Sequence, residues 1–172
     1  MSAPRAIRFP RSLALQIAKS SRHSRIAGAF GEALLLYSLS KRGYEVCSLD
    51  HTGIDLLAYH PKSRRRLGIS VKCRTRVPGS ETEGVYIRAK EFRLIENACR
   101  AYAARPFLGI VLDRHGQIEA HLVSLAKAIK VNRRAKTLLN FKVGAKQIRR
   151  YRAAPDYFGL VLSYSGFDDE RS

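Results

Sequence analysis

Long apolar runs are absent from this chain of 172 residues, and none approaches the ~18 residues that a membrane-spanning helix requires. Cysteine is also scarce, since Cys47, Cys73 and Cys99 are widely spaced and form no CxxC pair. These absences predict a protein of a reducing, cytoplasmic compartment with no transmembrane segment and no structural zinc. The apolar run at 13–18 is short and contains a glutamine, which argues against a signal peptide and leaves an amphipathic targeting segment as the alternative.

Acidic residues are few. The chain has 14 Asp+Glu against 32 Lys+Arg, a net charge of +18, where solubility alone is served by a magnitude of roughly 2–8. The basic residues cluster in 1–25, 60–76 and 127–152, and none of these three stretches contains an acid. This charge predicts a polyanionic partner, first of all nucleic acid, with an anionic membrane surface or an acidic protein as alternatives.

Hydrophobic periodicity predicts a single α/β domain. A helix is expected at 25–42, with an apolar stripe formed by Ile26, Phe30, Ala33, Leu34 and Tyr37, which Leu35, Leu36 and Leu39 extend around the helix. Three short strands that follow one another would form a meander, and a second helix would then cross over and bring a fourth strand alongside in a mixed sheet. The expected strands are 44–49, 54–60, 67–75 and 107–113, the second helix is 88–104, and further strands are expected at 116–124 and 157–164.

Three charged side chains lie in elements that are otherwise apolar. Asp55 is near the start of the second strand, Lys72 is in the middle of the third, and Glu32 is in the first helix without a basic residue three or four positions away. Charges that are nearly buried are costly unless they are paired or bind a metal. Carboxylates without imidazole or thiolate partners favour Mg²⁺ or Mn²⁺, and a neighbouring lysine can hold a phosphate or stabilise a transition state. The trio therefore predicts metal-dependent phosphodiester hydrolysis.

Each of these residues also has a purely structural interpretation. Asp55 could cap the preceding turn at 50–53, Lys72 could extend its amine to solvent, and Glu32 could pair with Arg25 or a distant arginine. The five histidines show no spacing typical of a zinc site.

The order of these residues resembles the PD-(D/E)xK nuclease superfamily, most closely its Holliday-junction-resolvase-like branch. The resemblance covers 25–113 and consists of GxxGE in the first helix, which ends at Glu32, then GID ending at Asp55 and SVK ending at Lys72. It implies a restriction-endonuclease-like αβββαβ core with a central mixed four-stranded sheet flanked by helices. The predicted segments are a basic N-terminal segment at 1–24, the nuclease-like core at 25–125, and a basic C-terminal extension packed on the core at 126–172.

The resemblance also implies the site. In that family the acid of the second strand and the acid at position 70 bind the divalent metal, Mg²⁺ or Mn²⁺, the lysine assists catalysis, and a glutamate of the first helix often joins them. These roles would fall on Asp55, position 70, Lys72 and Glu32, with Asp55 and Glu32 as the metal-binding carboxylates of this chain. The family expects Glu, Asp or Gln at position 70, and this chain has Ser70. Either Glu32 compensates and the protein is an endonuclease, or the chain has lost cleavage and only binds nucleic acid.

The expected partner is DNA, including branched DNA, with RNA as an alternative and a homodimer as a possible assembly. Phosphate contacts are predicted for a set of arginines near the site, namely Arg64, Arg65, Arg66, Arg74 and Arg76. A basic assembly protein that docks on an acidic partner is a third, weaker hypothesis.

Overall fold

The computed structural model describes residues 19–76, 80, 83–114, 116–132 and 138–164. The predicted N-terminal segment lies outside the described residues up to position 18, and so does the tail from 165 onward. The helices of the described part are α1 (His23–Ser40), α2 (Ala89–Ala101), α3 (Leu125–Val131) and α4 (Ala145–Arg152). Its strands are β1 (Glu45–His51), β2 (Ile54–His60), β3 (Arg65–Thr75), β4 (Val85–Arg88), β5 (Arg105–Arg114), β6 (Gln117–Ser124), β7 (Leu138–Phe141) and β8 (Phe158–Ser163).

The prediction of a mixed sheet is confirmed, but the sheet is wider than the four strands expected. Its order is β1-β2-β3-β5-β6-β8, with β3 and β5 parallel and the other neighbours antiparallel. The strand at 117–124 pairs along its own full length with β5 and pairs with β8 on its other side, so the C-terminal part of the chain extends the sheet. A second sheet of two strands, β4 and β7, was not predicted.

The helices lie on opposite faces of the large sheet. One buried cluster joins α1 to residues such as Leu56, Ile69 and Val71, and the other joins α2, α3 and α4 to residues such as Ile54 and Leu108. The predicted apolar face of the second helix is confirmed, because Phe92, Ile95 and Cys99 are buried and Tyr102 packs against them. None of the described helices is long and apolar enough to cross a membrane.

The stripe predicted for the first helix is a core face only in part, because Leu34, Leu35 and Leu39 are buried and three of its large residues are not. The residues of α1 that pack on the sheet are Gly31, Leu34, Leu35, Ser38 and Leu39, whereas Ile26, Phe30 and Tyr37 are exposed. The reason is close packing, since a Cβ at Gly31 would lie 2.8 Å from Cys73 Cβ. Gly31 allows α1 to approach β3 on one side, and Ile26, Phe30 and Tyr37 are left pointing away from the sheet.

The turn between β1 and β2 is held against α2 by a glycine. Gly53 has φ of +112°, and a Cβ there would lie 2.6 Å from the carbonyl carbon of Leu94. Gly43 is a matched control, because it also has positive φ, +79°, but its nearest neighbour would be His60 Nε2 at 3.8 Å. We expect Gly53→Ala to lower the free energy of unfolding by roughly 3 kcal/mol or more, since backbone strain and overpacking add.

Gly43→Ala should cost only about 1 kcal/mol, the strain of a left-handed residue. Urea unfolding of both variants measures the difference. Equal losses would contradict the close approach of this turn to α2.

A largely buried ionic group on β6 joins this strand to the end of β5 and to Tyr157, the residue that precedes β8. Glu119 Oε2 lies 3.2 Å from His121 Nε2, its Oε1 lies 3.3 Å from Arg114 Nη1, and His121 Nδ1 contacts the Tyr157 hydroxyl at 2.8 Å. The hydrogen bond with His121 is the largest cause that lowers the pKa of Glu119, burial opposes it, and the charges of Arg114 and His121 lower it further.

This lowered pKa predicts a pH-dependent contribution to stability. A carboxyl group whose pKa is lower in the folded state stabilises the fold above its ordinary pKa and loses that contribution as the pH falls. We expect the advantage of wild type over Glu119→Gln in urea unfolding to be complete at pH 6 and to shrink below about pH 4.5. Glu96→Gln, at an exposed position of α2, should show no such trend. A wild-type advantage that does not change with pH would contradict the assignment.

Candidate functional site

Asp55 lies at the start of β2, immediately beyond the turn at Gly53, and is half-buried. The backbone N–H of Val71 donates a hydrogen bond of 2.6 Å to Asp55 Oδ2. The β2–β3 register ends at the pair Leu56 and Ile69, so the carboxylate satisfies a backbone donor beyond the end of that ladder. This bond fixes Asp55 beside the middle of β3.

Ser70 and Lys72 share one face of β3, because side chains alternate along a strand. Ser70 is buried, with 4% of its surface exposed. Lys72 Nζ lies 3.1 Å from Glu91 Oε2, and the two side chains are 25% and 28% exposed. The lysine inside this apolar strand therefore has a partner, and the partner comes from α2.

A cavity of about 180 Å³ brings these side chains together. Its lining consists of Gly53, Asp55, Ser70, Lys72, Glu91, Leu94 and Ile95. Three of the four residues predicted for the site thus line one cavity, between the start of β2, the middle of β3 and the first turns of α2. Apolar side chains from α2 close one wall, which reduces the dielectric screening of the charges inside.

Glu32, the fourth predicted residue, is not part of that lining. It belongs to α1, the helix on the opposite face of the sheet, and is half-buried. Burial raises the pKa of Glu32, and the Asp55 carboxylate raises it further. Glu32 therefore interacts with Asp55 electrostatically from the α1 side without contributing to the cavity wall.

Glu91 is the residue that sequence reasoning missed. It lies in the first turn of α2, where its Oε1 accepts a hydrogen bond of 3.3 Å from the backbone N–H of Arg88. Its position could have been noticed, because Glu91, Ile95 and Cys99 are four residues apart and fall on one helix face. The signal in the sequence is an acid at the position that continues a buried apolar stripe, because the side chain of such an acid faces the sheet.

The predicted phosphate-binding arginines lie in two different settings. Arg64, Arg65 and Arg66 are exposed around the β2–β3 turn, and Arg66 lies over the Tyr59 ring at 5.9 Å. Arg74 is exposed on β3, whereas the side chain of Arg76 is mostly enclosed. The described structure thus presents four exposed arginines along one hairpin.

The guanidinium of Arg76 is engaged within the protein. It lies 3.2 Å from Glu83 Oε2 and donates to the carbonyl oxygens of Glu83 and Gly84. Arg76 therefore holds the segment that precedes β4.

The cavity contains oxygen donors of the kind that Mg²⁺ prefers. Within the residues that the structure describes, no group of three or more His, Cys, Asp or Glu side chains is arranged to hold a metal. The cavity does contain two carboxylates, Asp55 and Glu91, and the Ser70 hydroxyl, all of them hard oxygen donors. Mg²⁺ usually keeps several waters and binds one or two carboxylates together with substrate phosphate.

Comparison with known proteins gives matches only at the level of structure. No family model matches the chain, and no curated protein matches it. Among solved structures, the chain is similar to Hjc from Archaeoglobus fulgidus, a Holliday junction resolvase from an archaeal hyperthermophile, with a TM-score of 0.52, 20% sequence identity, and coverage of 73% of this chain and 88% of that one.

A second similar structure is a restriction endonuclease in complex with substrate DNA, with a TM-score of 0.40, 8% identity, and coverage of 89% of this chain and 76% of that one. The first likeness shows that this chain shares the fold of that resolvase. At 20% identity it shows the fold alone.

Proposed function

We propose that this protein is a metal-dependent endonuclease that hydrolyses phosphodiester bonds in DNA. The observation that carries the proposal is the cavity in which Asp55, Lys72 and Glu91 meet, in a chain of net charge +18. Two carboxylates and one amine in a partly enclosed cavity suit the binding and cleavage of a phosphodiester. The chain's basic surface suits a polyanionic backbone.

Asp55 and Glu91 would hold the divalent metal in this proposal, with Glu91 in the role that the family resemblance assigns to position 70. When bound, Mg²⁺ or Mn²⁺ would lower the pKa of water and offset negative charge on the phosphate. Asp55 is oriented by the Val71 N–H, which leaves its carboxylate little freedom to rotate away from the cavity. Glu91 is oriented at both oxygens, by Arg88 and by Lys72.

Lys72 would place a positive charge beside the scissile phosphate and stabilise the charge that develops during hydrolysis. In the free protein its ammonium is paired with Glu91. DNA phosphate would compete for the ammonium, and in doing so would release the Glu91 carboxylate for the metal. Ser70 is too weak a ligand to replace a carboxylate, but its small side chain leaves space for the one that α2 supplies.

Glu32 would act as an auxiliary carboxylate. Its pKa is raised by burial and by Asp55, so it binds a proton more readily than an ordinary glutamate. A divalent cation held by Asp55 would weaken that effect and favour ionised Glu32. Of the two glutamates, Glu91 lines the cavity and Glu32 does not. We therefore assign the direct role to Glu91 and the auxiliary role to Glu32.

The exposed arginines of the β2–β3 hairpin would contact the DNA backbone. Contacts with phosphate carry little sequence information, so we expect recognition of DNA shape to dominate over recognition of sequence.

The decisive experiment is a cleavage assay with purified full-length protein on linear, nicked and branched DNA. We expect cleavage with Mg²⁺ or Mn²⁺ and none in EDTA. Asp55→Asn protein purified in parallel controls for contaminating nuclease. Binding that weakens with salt, but without cleavage by either metal, would overturn the proposal and leave a nucleic-acid-binding protein of the same fold.

A further inference from the structure

The small sheet of β4 and β7 holds a tyrosine in an exposed position. Tyr86 is 58% exposed, more than any other large hydrophobic side chain in the part of the chain that the structure describes. Its neighbours on β4, Val85 and Ile87, are buried in the cluster that includes residues of α2. Because side chains alternate along a strand, this buried pair fixes Tyr86 on the outer face of the small sheet.

The same outer face places an amide beside the tyrosine ring. Asn140 of β7 pairs directly with Tyr86 of β4, an arrangement that brings two Cβ atoms to about 5 Å from each other. Asn140 Oδ1 lies against Gly84, where a Cβ would collide with it, and within the described residues this buried oxygen has no hydrogen-bond donor. The amide nitrogen is therefore the polar group that this half-buried side chain offers to a ligand, as a donor.

Positive charge lies next to this pair. Arg88 follows Tyr86 by two residues on the same face of β4, Lys142 follows Asn140 by two residues, and both are exposed. The sequences of β4 and β7 contain no acid. An aromatic ring, an amide donor and two cations on one surface suit a planar ligand that carries hydrogen-bond acceptors and is attached to an anion. A nucleic-acid base with its phosphate is such a ligand.

The small sheet is fixed near the cavity. The guanidinium of Arg76 donates to the carbonyl oxygens of Glu83 and Gly84, just before β4, and β4 leads into α2 without an intervening loop. Tyr86 precedes Glu91 by five residues, so their Cα atoms are at most about 18 Å apart. Stacked bases follow one another at about 3.4 Å along a DNA strand, and this span therefore corresponds to roughly five nucleotides or fewer.

We propose that Tyr86 stacks on an unpaired base of DNA, within about five nucleotides of the bond at the cavity, and that Asn140 donates a hydrogen bond to the edge of this base. In a duplex the faces of a base are covered by its neighbours, so only an unpaired base presents the surface that the ring requires. The preferred substrate is therefore DNA with a single-stranded segment next to the cleaved bond. This inference rests on the proposed function, because it takes DNA as the ligand and the cavity as the place of cleavage.

Removing the ring tests the stacking. In EDTA, where metal-dependent cleavage does not occur, we expect Tyr86→Ala to weaken binding of a single strand of about 12 nucleotides by roughly 5- to 100-fold, the range of base–aromatic stacking. Binding of a blunt duplex of the same length should change by less than about twofold, since it depends on phosphate contacts. Fluorescence anisotropy of labelled DNA at low salt, with the full chain, measures both affinities.

Matched variants isolate the ring. Tyr86→Phe keeps the aromatic face and should bind the single strand within about twofold of wild type. Tyr37→Ala removes a tyrosine that is 57% exposed on α1 and should leave the binding of both DNAs unchanged. Thermal unfolding of each variant reports on the fold. Tyr86→Thr, which retains a residue favoured in strands, replaces Tyr86→Ala if the alanine lowers the melting temperature.

The amide is tested separately. Asn140→Leu has nearly the same shape but lacks the donor, and we expect it to weaken binding of the single strand about 2- to 10-fold, the effect of one hydrogen bond. A single 2-aminopurine moved stepwise through a single-stranded gap gives a direct signal of stacking. Its fluorescence should be quenched at one position by wild type and by Tyr86→Phe, and not by Tyr86→Ala.

Two results would overturn the inference. One is a Tyr86→Ala protein that binds the single strand as tightly as wild type does, and the other is an equal loss of affinity for single strand and duplex. Neither result bears on cleavage, so the proposed function would stand. A wild-type protein that does not cleave DNA but shows the preference that depends on Tyr86 would instead lose the nuclease assignment and keep this site.

Discussion

Asp55→Asn is expected to lower the rate of metal-dependent DNA cleavage about 10³-fold, close to the background of the assay, without unfolding the protein. The loss is large because a carboxylate that binds the metal supplies charge stabilisation that a neutral amide does not replace. The fold survives because an asparagine oxygen can still accept the hydrogen bond from the Val71 N–H. Single-turnover cleavage with Mg²⁺ and thermal unfolding measure the two effects separately.

Two further variants make this prediction specific. Asp55→Ala should lose activity equally and in addition lose about 1–3 kcal/mol of stability, because the Val71 N–H is left without its acceptor. Asp50→Asn removes an exposed acid from the neighbouring strand β1 and should retain wild-type cleavage. If Asp55→Asn cleaved within a few-fold of wild type, Asp55 would be a structural cap and the catalytic assignment would be wrong.

Glu91→Gln is expected to reduce cleavage about 10²-fold, which is the second large effect. The substitution removes the second carboxylate of the cavity and breaks the ion pair with Lys72. Adding Ser70→Asp to Glu91→Gln should restore part of the lost activity, since the acid then comes from β3 instead of α2. Single-turnover cleavage by both variants, with the metal concentration varied, measures the loss and the rescue.

Controls separate a lost ligand from a disturbed helix. Glu96→Gln removes an exposed acid from the same helix and should leave cleavage unchanged. Glu32→Gln should reduce cleavage less than Glu91→Gln does, because Glu32 does not line the cavity. The opposite ranking would mean that the acid of α1, and not that of α2, compensates for Ser70.

Local patterns in the sequence were sufficient for most of the sheet. Strands were predicted at 54–60, 107–113 and 116–124, and the ends of β2, β5 and β6 lie within two residues of these positions. The C-terminal helices α3 and α4 have seven and eight residues and were not predicted. Such short elements give too few turns for periodicity to emerge, and long-range packing stabilises them.

The stripe of α1 illustrates a different failure. Its pattern correctly predicted a helix, yet two faces of that helix are apolar, and periodicity does not tell which face packs on the sheet. The choice depends on how closely the backbones can approach, and Gly31 against Cys73 allows that approach on one side only. A glycine adds little to a hydrophobic pattern and much to a packing interface.

The sequence by itself determined that the chain is basic, that it has a mixed α/β fold, and that Asp55 and Lys72 stand on consecutive strands where a hairpin can join them. Only the tertiary structure decided that Glu91, 36 positions beyond Asp55 in the sequence, lies in the same cavity and contacts Lys72. Residues on neighbouring strands are brought together by local pairing, whose register the chain encodes in its pattern. The position of a helix across the sheet depends instead on packing over many residues. That an acid of α2 lies beside Ser70, where the resemblance expects a carboxylate, can therefore be recognised only once the fold is known.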